Sequence, residues 1–321
     1  MAIVVILRIA AILLASYPSL WDDAYMFVRY ADNLLRDGKL AWNPGGPPVY
    51  GLTSPMYLLV VLPIRLLIAD NAAQVMVMAS IISGLLFLAL LTILILRYSE
   101  TSPTTRLVLL LGVFWLLATT LGHQAEEQWA GAWTIFTLVD DLAAHFLSGM
   151  DTMFVLSFLT LYLILAKEHE HRQSTGSAIV LGLAGGLAFA VRPDLLLYTL
   201  AIPMFIFVMA PESGARRRAF LALAITSAVL VLELGMATLY LDSPLPLPFF
   251  AKGVHGYGQA FAQVYGQSAL IYLIAYFVSY WPLLLPIAAA LILTIKKREN
   301  PKRPVEIGLL AATVVLSLIH I

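Results

Sequence analysis

Polar and apolar positions along this chain fall into long blocks, not the short alternations of a soluble fold. Apolar runs occupy residues 2–18, 55–69, 74–97, 107–121, 146–166, 177–191, 194–210, 219–241, 268–295 and 305–321. Blocks of this kind predict helices that are buried on every side or that cross a bilayer, which takes about 20 apolar residues. Several runs are shorter than that. The 55–69 run also contains Pro63 and Arg65, so it is expected to tilt, break or only partly enter the bilayer. The polar stretch from Trp21 to Ser54 predicts something different. At a spacing near 3.6 over residues 22–37, Asp22, Met26, Arg29, Asn33 and Arg36 share one face, while Tyr25, Val28 and Leu35 turn another way. This predicts a short helix lying on the membrane, with one carboxylate and one guanidinium able to point into the same cavity. No internal repeat or low-complexity linker interrupts the blocks.

Composition turns the blocks into a class. Hydrophobic residues make up 61% of the 321 and charged residues 12%, with a mean hydropathy of +0.89. A soluble domain is about half apolar and a quarter charged, so the chain reads as an all-α, polytopic membrane protein in contact with the lipid bilayer. Lysine plus arginine balances aspartate plus glutamate at 19 each, and there is no polybasic tail, zinc-finger, RNP or phosphate-loop pattern, so no nucleic-acid partner is expected. Cysteine is absent, which excludes disulfides, thiolate metal sites and cysteine nucleophiles. The first apolar run carries one cation, Arg8, and lacks a small-residue cleavage site before Trp21, so an uncleaved span with a cytoplasmic N-terminus is expected over a signal peptide. The final run stops within a span, and residues 316–321 read as a non-native tail. A longer protein with further spans and a soluble outer domain is the expectation.

Charge in the short loops orients the spans. Lys167 to Arg172, Arg216-Arg217-Arg218 and Lys296-Lys297-Arg298 read as cytoplasmic. That places Gly149-Met150-Asp151, Arg192-Pro193-Asp194 and the 242–267 loop outside, and a count from the N-terminus also places the 21–54 loop outside. The two counts conflict by one crossing between residues 55 and 145, which a re-entrant segment or an additional span would resolve. Tryptophan and tyrosine at Trp21, Tyr25, Tyr30 and Trp42 suit the headgroup belt.

Within this frame the candidate chemistry gathers on the outer side. Asp22 and Asp23 are adjacent acids at the mouth of a helix. Mutual repulsion suits one of them to accept a proton as a general base, and the pair could instead hold a divalent cation, Mg or Mn, through oxygen. The structural alternative is a charged stop after the first span that caps the next helix. The loop holds four acids (Asp22, Asp23, Asp32, Asp37) against three bases (Arg29, Arg36, Lys39), so function there depends on placement and not on bulk charge. Arg29, Arg192 and Lys252 are candidate phosphate ligands, because arginine pairs phosphate oxygens in a bidentate way. A local Arg192–Asp194 pair at a helix break and interfacial snorkelling of Lys252 are the structural alternatives. Asp151 could reach a sugar hydroxyl or cap the helix that follows, and the cap is expected. His169 and His171 lie in a charged stretch and are expected to be solvated. His123 with Glu126 and Glu127 has metal-like spacing that is common by chance.

Taken in order, several motifs resemble the first loop of GT-C glycosyltransferases, the bacterial terminal arabinofuranosyltransferases and their relatives above all. They are Asp22-Asp23-Ala24-Tyr25 with Arg29-Tyr30-Ala31-Asp32-Asn33-Leu34, then Asn43-Pro44-Gly45, then Gly51-Leu52-Thr53-Ser54-Pro55. Ser148-Gly149-Met150-Asp151, Arg192-Pro193-Asp194 and Pro246 to Lys252 extend the likeness in order. The resemblance implies a GT-C-type transmembrane domain over residues 1–315 in the plasma membrane, its active site facing the outside or periplasm. It implies transfer of a sugar from a polyprenyl-phosphate donor to a cell-envelope glycan, lipid or protein acceptor, by inverting displacement with Asp22 or Asp23 as base. Tyr30, Asn43, Thr53, Ser54, Asp151 and Asp194 are the further substrate-binding positions, beside Arg29, Arg192 and Lys252, which are candidates for the leaving phosphate by their chemistry more than by the resemblance. The chain departs from the family at Asp151, often glutamate, and at Leu247-Pro248-Phe249, where asparagine-threonine is usual after the proline. A transporter, or a polyprenyl-lipid-binding protein without catalysis, is the alternative reading.

Overall fold

A computed structural model of the chain describes residues 22–68, 70–98, 149–210 and 212–248, together with Pro103, Arg106, Val305, Glu306 and Leu309. The described residues are helical and contain no strand. In chain order the α-helices are α1 (Ala24–Asp37), α2 (Leu58–Leu67), α3 (Ala72–Tyr98), α4 (Thr152–Arg172), α5 (Thr175–Val191), α6 (Leu196–Met209) and α7 (Ser213–Leu241). Short 3-10 turns, Pro55–Tyr57 and Pro193–Leu195, lead into α2 and α6. By length and composition α3, α4 and α7 can each cross a membrane, at 27, 21 and 29 residues. At 1.5 Å per residue the shortest of them covers about 30 Å, the thickness of the hydrocarbon layer. Helices α2, α5 and α6 are apolar but shorter. The runs at 2–18, 107–121 and 268–295 lie outside the described residues, as do His123, Glu126, Glu127 and Lys252.

The chain divides into two compact units, residues 1–47 with 56–161 and residues 48–55 with 162–321. In the first unit, α1, α2 and α3 pack on one another. Helix α1 buries Ala24, Phe27, Val28, Tyr30 and Ala31, the spacing of one helical face. It stops at Gly38, whose φ of 66° is open to glycine at little cost and whose N–H bonds the Leu34 carbonyl at 3.0 Å. The fully buried Tyr57 is the hub of this unit. Its ring meets Phe27 edge-on at 4.9 Å and lies 5.5 Å from Phe154 of α4. Its hydroxyl donates to the Gly149 carbonyl at 3.4 Å. Ser157 Oγ lies 2.8 Å from the Ser83 carbonyl, tying α4 to α3.

The second unit is built on close approach of α5 to α7. Gly182 and Gly186, one turn apart, face Ala222, Ile225, Thr226 and Val229. A Cβ at Gly182 would stand 2.7 Å from the Ala222 carbonyl oxygen, and one at Gly186 would collide with the Val229 side chain. The gap left by the absent side chains lets Thr226 Oγ1 donate to the Gly182 carbonyl at 3.2 Å. Small residues at a spacing of four are how helices meet when lipid leaves little hydrophobic drive between them. Tyr162, Leu181, Ile202, Ile206, Ala219 and Ala222 make the core around this contact, and Tyr162 donates to the Thr199 carbonyl at 2.9 Å.

The stretch Lys167 to Arg172, read from sequence as a solvated loop, is the last turns of α4. His171 is exposed as expected, but His169 is completely buried, with Nδ1 2.9 Å from Ser177 Oγ. The helix continues because its charges find partners. Lys167 pairs with Glu170 at 2.7 Å and Glu306 at 2.8 Å, and Arg172 pairs with Glu168 one turn back.

Two glycines on the same pair of helices should respond with opposite signs. Gly182→Leu forces side-chain bulk into α7 and is expected to destabilise the protein by about 1–3 kcal/mol or more. Gly235→Ala on α7, where an added Cβ meets nothing within 4 Å, should stabilise it by about 0.5–1 kcal/mol. Unfolding in detergent, followed by circular dichroism, measures both. Equal effects at the two positions would mean that α5 and α7 do not approach this closely.

Candidate functional site

The paired acids sit in the turn before α1, both exposed. Helix α1 starts two residues later than the periodicity suggested, with Asp23 in its N-cap position. Asp23 does not use its side chain to cap the helix. Among the described residues Asp22 Oδ1 accepts the neighbouring Asp23 N–H, at 3.0 Å, and the first turn closes through backbone bonds from Tyr25 and Met26 to the Asp22 and Asp23 carbonyls. The cap expected of Asp22 or Asp23 on structural grounds is therefore made by backbone, and both carboxylates remain at the surface.

The polar face of α1 is present, but its residues act on the loop that follows. Arg29 Nε donates to the Trp42 carbonyl at 2.8 Å, and its guanidinium lies 4.3 Å over the indole ring. The buried Asn33 donates to the Ala41 carbonyl at 2.7 Å and to that of Trp42 at 3.1 Å, and accepts from Arg36 at 2.7 Å. Arg36 also pairs with Asp37 at 2.9 Å, and Asp37 Oδ2 accepts the Gly45 N–H at 2.9 Å. Three of the same-face residues thus hold the 38–46 loop in place. Arg29 keeps an exposed guanidinium with its Nε engaged, which leaves its other nitrogens to an outside ligand.

The loop is a turn that its sequence prescribes. Asn43 is exposed and its carbonyl accepts from Gly46 at 3.0 Å. Pro44 occupies the second position and Gly45, with φ 70°, the third, as a type II turn requires. Tyr30 is only 1% exposed, its ring tilted against Trp42 at 6.1 Å, so it supports the loop from beneath. Asp32 and Arg65 add a second brace. Arg65 Nε donates to Asp32 Oδ1 at 2.6 Å and Nη2 to Oδ2 at 3.1 Å, a two-pronged bridge from α2 to α1.

Asp151 precedes α4 in the same unit. It is buried, and its carbonyl accepts the first helical bond, from Val155 at 2.9 Å, as a residue in the cap position does.

The second unit holds the remaining candidates. Thr53 is half-buried, and Ser54 is fully buried with Oγ donating to the Val191 carbonyl at 2.5 Å. That bond satisfies a carbonyl at the open C-terminal end of α5, a structural use for the hydroxyl. Arg192 and Asp194 form the local pair that their spacing suggests, 3.2 Å apart and both half-buried. Nearby, the Tyr50 carbonyl accepts from Leu247 N at 2.7 Å, so part of the proline-rich 242–248 segment joins the 48–55 strip. Burial, and then the Glu233 carboxylate, push the Tyr50 phenol up to about 12.

Glu233 belongs to none of the motifs that the sequence singles out. It is a lone acid in the apolar run of α7, and that isolation was the signal, since an ionisable group inside a span marks a site by default. Among the described residues no group of three or more histidine, aspartate or glutamate side chains could hold a metal ion. The acid pair alone offers two carboxylates, and the rest of a Mg or Mn shell would be water and phosphate. In comparisons with protein families, curated proteins and solved structures, nothing matches this chain.

The exposed brace makes a pH prediction. The Arg36 hydrogen bond, then that from Gly45, lowers the Asp37 carboxyl to about 2. A group lowered on folding stabilises the folded form above its unfolded value, near 4, and loses that contribution as pH falls through about 2. Carbon NMR of labelled aspartate should place the Asp37 midpoint near that lower value and return it toward 4 in Arg36→Gln. An unmoved midpoint in the variant would break the assignment.

Proposed function

We propose that this chain is a membrane glycosyltransferase of the GT-C type that uses a polyprenyl-phosphate sugar on the outer face of the membrane. The observation that carries the reading is the Asp22-Asp23 pair, exposed at the mouth of α1 and not used as a side-chain cap. Exposed acids that fold stability does not explain are candidates for chemistry, and their setting in a braced loop beside membrane helices suits a lipid-borne substrate. The motif order described from sequence supports the same class.

In this reading one aspartate takes the proton of the acceptor hydroxyl as its oxygen attacks the anomeric carbon. The carbon–oxygen bond to the lipid phosphate breaks with inversion, and the electron pair leaves on phosphate. The exposed guanidinium of Arg29 is available to the phosphate charge as it develops. Arg192 and Lys252 remain candidates for phosphate by their chemistry, and Asn43, Thr53 and Asp151 for sugar hydroxyls. The acceptor would be an envelope glycan, lipid or protein. A transporter is the second reading, favoured by the position of Glu233 within α7.

The deciding assay is transfer of label from polyprenyl-phosphate sugars, comparing wild type with Asp22→Asn and Asp23→Asn. Loss of the general base is expected to lower transfer by about 10²–10⁴-fold in one variant. Undiminished transfer in both would remove the acid pair from the mechanism. Runs with EDTA and with added Mg or Mn report whether the pair also takes a cation. Translocation of the lipid sugar with no transfer would select the transporter.

A further inference from the structure

Helix α2 is apolar on both of its faces, and protein covers only one of them. Leu58, Val61 and Ile64 are buried in a helix that packs on α1 and α3. On the opposite side Leu59, Pro63, Leu66 and Leu67 are exposed, a row at the i, i+4, i+7 and i+8 spacing of one helical face. Its three leucines are 63%, 68% and 86% exposed. The one charge of the helix, Arg65, is bound to Asp32 of α1 at 2.6 Å and to the Ile68 carbonyl at 3.1 Å. The outer row is left wholly apolar, which marks a surface that something apolar covers.

Length and surroundings select the cover. With its leading 3-10 turn the apolar element runs from Pro55 to Leu67, about 20 Å at helical rise, which is short of the roughly 30 Å hydrocarbon layer. Exposed Asp70 follows it, and Asn71 Oδ1 accepts the Gln74 N–H at 3.0 Å at the head of α3. A polar connection of this kind belongs at a membrane surface and not inside the hydrocarbon. Helix α3 exposes no residue over 72–81, and then exposes Ile82, Leu85, Leu86, Ile93 and Leu96 along its length. Only residues 68–71 separate the two helices, so α2 lies beside the covered head of α3. Its outer row supplies the lipid-facing surface that α3 lacks there.

Loop charge agrees on independent grounds. Three apolar runs, 55–69, 74–97 and 107–121, separate the acid-bearing loop from Gly149-Met150-Asp151. Both of those segments read as outer, and three crossings cannot join two points on one side. Without 55–69 the crossings number two, and Arg97 and Arg106 between them fall on the cytoplasmic side, as the positive-inside rule asks.

We propose that α2 does not cross the bilayer but lies along its outer leaflet, with the Leu59, Pro63, Leu66 and Leu67 row docked among lipid acyl chains. The Arg65–Asp32 bridge and the edge-on contact of Tyr57 with Phe27 then hold α1 at headgroup level. The acid pair faces the headgroups on the side where Asp151 also lies. This placement goes beyond the glycosyltransferase reading and does not depend on it.

The chain has no cysteine, so single cysteines in the full-length chain report on it without background. Lys39→Cys and Asp70→Cys are exposed positions on either side of α2, and Pro103→Cys is an exposed position between Arg97 and Arg106. In right-side-out membrane vesicles a membrane-impermeant maleimide is expected to label the first two, and to label Pro103→Cys only after permeabilisation. Labelling of Lys39→Cys and Asp70→Cys from opposite sides would make α2 a span and overturn the proposal. Labelling of both from the cytoplasmic side would overturn it equally. Nitroxides at Leu59→Cys and Leu66→Cys, in phosphatidylcholine nanodiscs, read the docking itself. Both are expected to meet oxygen more often than a nickel chelate, at nearly equal depths about 5–10 Å below the headgroups. Depths about 10 Å apart, the rise of seven residues, would stand α2 upright as a re-entrant helix and sink the proposal. Nitroxides open to the nickel chelate would do the same, leaving the row to water or to a protein partner.

Discussion

What ties the helices of each unit together is the bond from a side-chain hydroxyl to a backbone carbonyl on another element. Ser157 reaches Ser83, Tyr57 reaches Gly149, Tyr162 reaches Thr199, Thr226 reaches Gly182 and Ser54 reaches Val191. With so few charged side chains, there is little else to set one apolar helix against another. A helical carbonyl keeps a second lone pair after its own backbone bond, so a hydroxyl can use it without breaking the helix. Each such bond contributes only about 0.6 kcal/mol, up to about 1.7, but it fixes rotation and depth where apolar contact alone is indifferent. The close approach at Gly182 and Gly186 follows the same logic. Removing two side chains brings the Thr226 hydroxyl within reach and multiplies dispersion contacts along the seam.

The acid-bearing segment is held differently, by charge. Arg65 grips Asp32 with two hydrogen bonds, while Arg29, Asn33 and Arg36 hold the loop that turns back at Asn43. Five charged or amide side chains of α1, Arg29, Asp32, Asn33, Arg36 and Asp37, are spent on support, and the two acids that precede it, Asp22 and Asp23, are not. That division is the physical ground for treating the pair as chemistry. It also explains how a turn exposed to solvent can stay rigid: its backbone is bound at Trp42 and Gly45 from beneath, and Tyr30 fills the space under the indole. Arg29 is bound into the brace through Nε and its stacking on Trp42, while the residue stays exposed.

Much of this was legible in the residues. The helix expected over 22–37 is found at 24–37, and the apolar runs at 74–97, 146–166, 177–191, 194–210 and 219–241 each correspond to a helix. The Arg192–Asp194 pair and the turn at Pro44-Gly45 are local, and local spacing foretold them. The misses share a cause. Asn33 was placed on the polar face correctly, but its partners are the carbonyls of Ala41 and Trp42, and a loop's path is not written in helical periodicity. His169 looked solvated because its neighbours in sequence are charged; Ser177 on the next helix encloses it. Gly182-Leu183-Ala184-Gly185-Gly186 passed as part of an apolar run, though the spacing of its glycines was a readable sign of close packing. Glu233 was hidden in the same way, by the hydrophobicity around it.

By itself, the sequence determined most of the helices among the described residues, the polar face of α1 and that the chain belongs to a lipid environment. These follow from interactions within a few residues of one another and from the cost of placing apolar surface in water. Tertiary structure alone decided which polar groups are used up and which remain. Ser54 finds its partner 137 residues away, and Asp32 meets Arg65 33 residues on. Such encounters depend on how far two helices approach and how each is rotated about its axis, and a one-residue change in rotation swings a side chain through about 100°. The acids of the first loop could be seen from the start; that the helix does not consume them as caps could not.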